Sequence, residues 1–82
     1  MKPIEWTPKA LRQIRKIKNR ETQIMIYDAV DTLKSFPKCR NTKKLKDRDE
    51  YRLRVGQWRV IFADSIYMLR IEEIKKRDEH TY

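Results

Sequence analysis

The sequence predicts an α+β fold: a short N-terminal strand and a two-helix hairpin packed on one face of a small antiparallel sheet. Three observations point there. Apolar residues recur at helical spacing between Leu11 and Phe36. From Tyr51 onward the pattern changes to strict alternation. The single glycine, Gly56, stands between the two strongest alternating runs, in "YRLRVGQWRVIF". A chain of 82 residues has room for one domain, 1–82, with little spare stability.

Each element has a local cause. Lys2 to Trp6 is short and reads as a first strand. Thr7-Pro8 is a helix start, because threonine accepts at the N-cap and proline suits the first helical position. A first helix follows from Pro8 to Lys18, with Leu11, Ile14 and Ile17 as its apolar stripe. Asn19 breaks it. A second helix is expected from about Glu21 to Phe36, burying Met25, Ala29, Leu33 and Phe36 with Ile26 and Val30 beside them. Pro37 stops it. Lys38 to Glu50 reads as a basic loop anchored by Leu45.

In the hairpin, Gly56-Gln57 fits a two-residue turn with glycine first. That register sets Val55 opposite Trp58, Arg54 opposite Arg59 and Leu53 opposite Val60. Tyr51, Leu53, Val55, Trp58, Val60 and Phe62 then share the core face. A turn at Asp64-Ser65 would set Phe62 opposite Tyr67, Val60 opposite Leu69 and Arg59 opposite Arg70, with Tyr67, Leu69 and Ile71 continuing the core face. The opposite face would carry Arg52, Arg54, Arg59 and Arg70 beside Ile61, Ala63 and Met68.

An arginine row opposes folding, since like charges directly across a sheet destabilise it. The row is explained if an anion binds there. The alternative is a solvated face on which arginine stems cover apolar sheet. Lys plus Arg is 21 against 12 Asp plus Glu, a net charge of +9, enough to attract an anion from a distance. The excess lies in the first helix, the central loop and the hairpin. The second helix instead carries Glu21, Asp28 and Asp31 against Lys34.

The chain closes on "EIKKRDEHTY", with Lys76, Arg77, Asp78, Glu79, His80 and Tyr82 close together. His80 is the only histidine, and histidine is the commonest general acid or base near neutral pH. Cutting RNA with its own 2′-hydroxyl needs a base for that hydroxyl, cations for the charge developing on phosphate, and an acid for the leaving oxygen. A histidine, several arginines and a tyrosine can supply all three without metal. A frayed, solvated terminus is the plain alternative.

Other classes are poorly supported. Cys39 is the only cysteine, so an intrachain disulfide and a cysteine metal site are excluded, and a reducing cytoplasm is expected. No apolar run approaches the roughly 18 residues of a membrane span, and MKPIEW has no signal-like apolar core. There is no phosphate-binding glycine loop. No cofactor is expected.

The "KLKDRDEYRLRVGQWRVIF" hairpin, followed by another strand and "KKRDEHTY", resembles the RelE/ParE superfamily of type II toxin–antitoxin toxins, and the RelE-like mRNA interferases within it. The resemblance covers essentially the whole chain. It implies a RelE-like fold and a toxin that cuts mRNA in the ribosomal A site without metal, inhibiting translation. It implies catalytic roles for Arg54, Arg59, Arg77, His80 and Tyr82. It implies RNA or phosphate contacts for Arg52, Arg70, Lys43, Lys44, Lys46 and Lys76. Lys76 and Arg77 both suit the basic position of the tail. Arginines hold phosphate well but carry protons poorly. The general base therefore falls to His80, Asp78 or Glu79.

The implied partners are the ribosome with its mRNA and a cognate antitoxin whose acidic or amphipathic segment covers the basic face. Neither membrane binding nor sequence-specific DNA binding is expected. Three alternatives stay open: a ParE-like inhibitor of DNA gyrase without nuclease activity, an RNase independent of the ribosome, and an RNA-binding domain without activity.

Overall fold

The computed structural model describes residues 2–46 and 49–76. The elements follow as β1 (Ile4–Trp6), α1 (Pro8–Arg15), α2 (Arg20–Asp31), a 3-10 turn (Thr32–Ser35), β2 (Thr42–Lys44), β3 (Glu50–Val55), β4 (Trp58–Asp64) and β5 (Leu69–Lys76). The five strands form one sheet in the order β1-β5-β4-β3-β2. It is antiparallel from β2 to β5, and β1 joins β5 in parallel, so the sheet is mixed.

The helices begin as the sequence predicts. Thr7 caps α1 by accepting from the Ala10 amide, with Pro8 opening the helix, and Asn19 caps α2 by accepting from the Thr22 amide. Ala10, Ile14 and Ile17 are buried, while Leu11 is half-buried. The expected buried face of the second helix forms except at Met25: Ile26 and Val30 are buried in α2 and Leu33 in the 3-10 turn, Ala29 and Phe36 pack half-buried against the core, and Met25 is 43% exposed. Beyond Asp31 the chain tightens into the 3-10 turn and leaves helical geometry at Phe36, ahead of Pro37.

Phe62, Leu53, Val60, Leu69, Ile71 and Ile74 supply the sheet's half of the core. Phe36 packs edge-on against Tyr51 and Phe62 at 4.9 and 5.3 Å between ring centres, which fastens the segment after α2 to the sheet.

Lys38 to Glu50 is not loop throughout. Thr42–Lys44 pairs with β3, Lys43 lying opposite Arg52 and Lys44 opposite Tyr51. Two of its three residues are lysines, which have weak strand propensity, and pairing with a strong neighbouring strand outweighs it. Asn41, at φ 64°, turns the chain into this strand, and its carbonyl accepts from the Arg54 amide at 2.9 Å.

Candidate functional site

The β3–β4 hairpin forms in the expected register: Leu53 opposite Val60, Arg54 opposite Arg59, Val55 opposite Trp58. Gly56 has φ 57° and Gln57 stays out of the left-handed region, the pattern of a turn with glycine first. The turn directs Arg52 and Arg54 from β3, and Arg59 from β4, to the face away from the helices.

The β4–β5 connection differs from the expected turn. The Ser65 amide and hydroxyl both bond Met68, so the connection spans Ser65 to Met68 rather than turning at Asp64-Ser65. Phe62 pairs with Ile71 and Ala63 with Arg70, while Arg59 pairs with Lys75. A bulge falls beside Ile61 and Phe62, where Phe62 pairs with Ile71 but Ile61 pairs with Glu73, leaving Glu72 as the extra residue. Tyr67 is 77% exposed in the connection and adds nothing to the core face.

The cationic row is therefore Arg54–Arg59–Lys75 across three adjacent strands. A second row beside it reads Lys43–Arg52–Ile61–Glu73. Arg54 and Lys75 are exposed, and Arg52 and Arg59 are half-buried. Among the described residues none of the three arginines makes an ion pair, and the Arg52 Nε is buried without a hydrogen-bond partner. Lys75 shares the Glu73 carboxylate with Lys9, each at 3.6 Å. Ile61 is only 6% exposed on this face, which no described helix covers, in a row whose neighbours are Arg52 and Glu73, so long side chains shield apolar sheet here as well.

The other predicted residues are scattered. Arg70 lies near the opposite end of β5, about 15 Å from Lys75 by strand rise, and its parallel neighbour is Glu5. Lys43 belongs to the cationic face. Lys44, paired with Tyr51, lines a hollow with Phe36 and Pro37 on the helix side. Lys46 is exposed just beyond β2. Lys76 pairs with Trp58 on the helix-facing side. Arg77, Asp78, Glu79, His80 and Tyr82 lie outside the described residues.

Lys75 and Glu73 are the members sequence reasoning missed. The signal was present: the apolar spacing lengthens from two residues between Leu69 and Ile71 to three between Ile71 and Ile74, as a bulge requires.

The fold and sequence have known relatives. Residues 4–79 match the family described as the ParE toxin of the type II toxin–antitoxin system parDE. No curated protein matches the sequence. Among solved structures, the YoeB dimer from Staphylococcus aureus aligns with TM-score 0.73 at 14% identity, covering 94% of this chain and 98% of that one. RelE of the Methanococcus jannaschii RelB-RelE antitoxin–toxin complex aligns with TM-score 0.73 at 13% identity, covering 88% of each chain. YafQ from E. coli strain BL21(DE3) aligns with TM-score 0.72 at 15% identity, covering 93% of each chain. These likenesses share the α+β arrangement described above, and the match spanning nearly the whole length places the chain in the ParE toxin family, within the RelE/ParE superfamily of type II toxin–antitoxin toxins.

Proposed function

We propose that this toxin is a ribosome-dependent endoribonuclease that cuts mRNA in the ribosomal A site and so stops translation. The observation that carries the reading is the row Arg54–Arg59–Lys75, set beside Arg52 and Lys43 on a face no described helix covers. The three arginines have no carboxylate partner among the described residues, and arginine forks match phosphate oxygens. They would hold the scissile phosphate and take up the charge that grows on it.

The reaction needs no nucleophile from the protein. The 2′-oxygen of the substrate attacks the adjacent phosphorus while a base takes its proton. The bond to the 5′-oxygen breaks, and an acid protonates that oxygen. The products are a 2′,3′-cyclic phosphate and a 5′-hydroxyl. His80 is assigned the proton transfers, with Asp78 and Glu79 as the other candidates for base. Arg77 would add charge at the phosphate, and Tyr82 would stack on a base. Replacing His80→Ala should lower the cleavage rate by about 10²–10⁴-fold and leave ribosome binding nearly intact. A wild-type rate would remove His80 from the mechanism.

A second reading, inhibition of DNA gyrase by protein docking, is favoured by the ParE description of the matching family. Two assays separate them. Primer extension on a defined mRNA, with and without translating ribosomes, should reveal cuts only with ribosomes. Cuts in free RNA would instead identify a ribosome-independent RNase. A gyrase supercoiling assay should show no inhibition. Inhibition without cuts would make the arginine row a protein-docking surface.

The partner that restrains the toxin is assigned by the same charge argument. An antitoxin with an acidic or amphipathic segment would cover the cationic face, and the similar RelE was solved bound to its antitoxin.

A further inference from the structure

A groove of about 660 Å³ opens on the helix side of the sheet, between the α1–α2 turn and the tip of the β3–β4 hairpin. Its apolar members are Ile17, Ile74 and Trp58. Lys16, Lys18 and Lys76 also line it, and no carboxylate among the described residues does. None of the three lysines makes an ion pair among the described residues. Trp58 is half-buried, so part of its ring is held by the core and part remains accessible.

The groove adjoins the cationic row through the strand pleat. Arg59 pairs with Lys75, and the next pair outward is Trp58 with Lys76. Successive side chains on a strand point to opposite faces. The positive surface thus turns over the end of β4 and β5, from Arg59 and Lys75 on the open face to Trp58 and Lys76 in the groove. A cationic track joined to an accessible aromatic ring is the arrangement that holds single-stranded nucleic acid, with phosphates on the lysines and a base on the ring.

We infer that this groove is a second RNA subsite, in which a nucleotide flanking the cut stacks on Trp58 while Lys16, Lys18 and Lys76 hold the adjoining phosphates. The inference rests on the RNase reading, because it takes the strand on the open face to be RNA. An acidic peptide would meet the same lysines but has no planar base for Trp58. The ring and the continuity with the arginine row therefore favour RNA.

The test uses a single-stranded RNA oligonucleotide with 2′-O-methyl groups, which binds but cannot be cut. Trp6 and Trp58 are the only tryptophans, so Trp6→Phe leaves Trp58 as the sole reporter. The oligonucleotide should quench Trp58 emission. Lys16→Glu with Lys18→Glu, both exposed positions, should weaken binding at least tenfold, read by anisotropy of labelled RNA on the otherwise wild-type chain. Removing two phosphate contacts should also reduce the slope of log affinity against log salt by about 1.4. RNA binding that leaves Trp58 emission unchanged, or that ignores the charge reversal, overturns the subsite. Quenching by a poly-glutamate peptide but not by RNA overturns it in favour of an acidic protein. The two readings fail separately: quenching without ribosomal cleavage refutes the nuclease and keeps the groove, and cleavage without quenching does the reverse.

Discussion

At the scale of single residues, opposed charges carry the account. Arg54 and Arg59 lie directly across the β3–β4 ladder, a placement that costs stability of roughly 0.2–1 kcal/mol. Arg54→Gln should therefore stabilise the fold by a few tenths of a kcal/mol in urea unfolding, while lowering mRNA cleavage. Loss of stability would mean that the arginine stem, rather than its charge, matters most. Gly56 is the other residue that local physics determines. Its φ of 57° strains any side chain, and a Cβ there would meet only the Met25 methyl at an ordinary 3.7 Å. Gly56→Ala should thus cost about 1–2 kcal/mol through the backbone alone, measurable as a lowered unfolding midpoint. Both arginines and the glycine turn were legible in the sequence, because a two-residue hairpin fixes its own register. Lys75 was not, because its place depends on a bulge and on a connection held by Ser65 and Met68.

At the scale of elements, the strand edge shows what alternation leaves out. Beyond Ile71, β5 has lost its β1 neighbour, and α1 with its N-cap residue supplies the missing partners. The Thr7 hydroxyl donates to the Ile71 carbonyl at 2.8 Å, and the Gln13 Oε1 accepts from the Ile74 amide at 2.6 Å. Gln13→Ala should leave that amide unsatisfied and cost about 1–3 kcal/mol, with faster hydrogen exchange at Ile74 as the specific sign. Unchanged exchange there would refute this role. Nothing in the sequence marks Gln13 as an edge cap, since it sits on a helix like any surface glutamine. The second helix and most of its buried face were legible; its end was not, since the 3-10 turn takes over at Thr32, and Met25 is exposed because Ile26 and Val30 take the sheet-facing line. β2 was missed for another reason: Thr42–Lys44 has no apolar pattern, and its strand exists by pairing with β3.

At the scale of the whole molecule, the net charge of +9 is divided between surfaces. The hairpin face and the α1 turn are basic, and α2 presents Asp28 and Asp31. Antitoxin binding should follow that division. Its association rate should fall about tenfold or more as salt is raised, while the dissociation rate changes less. An association rate indifferent to salt would refute an electrostatic interface. The fold class was legible because the helical and alternating periods occupy separate halves of the chain.

The measurement that bears most directly on the central claim is primer extension on mRNA bound to translating ribosomes, comparing wild type with Arg59→Ala. The account predicts cuts by the wild type, a rate lower by about 10²–10³-fold in the variant, and unchanged folding by circular dichroism. Equal cutting by both proteins would contradict the assignment of the sheet arginines to the scissile phosphate. No cutting by either, with supercoiling by gyrase inhibited, would contradict the nuclease itself.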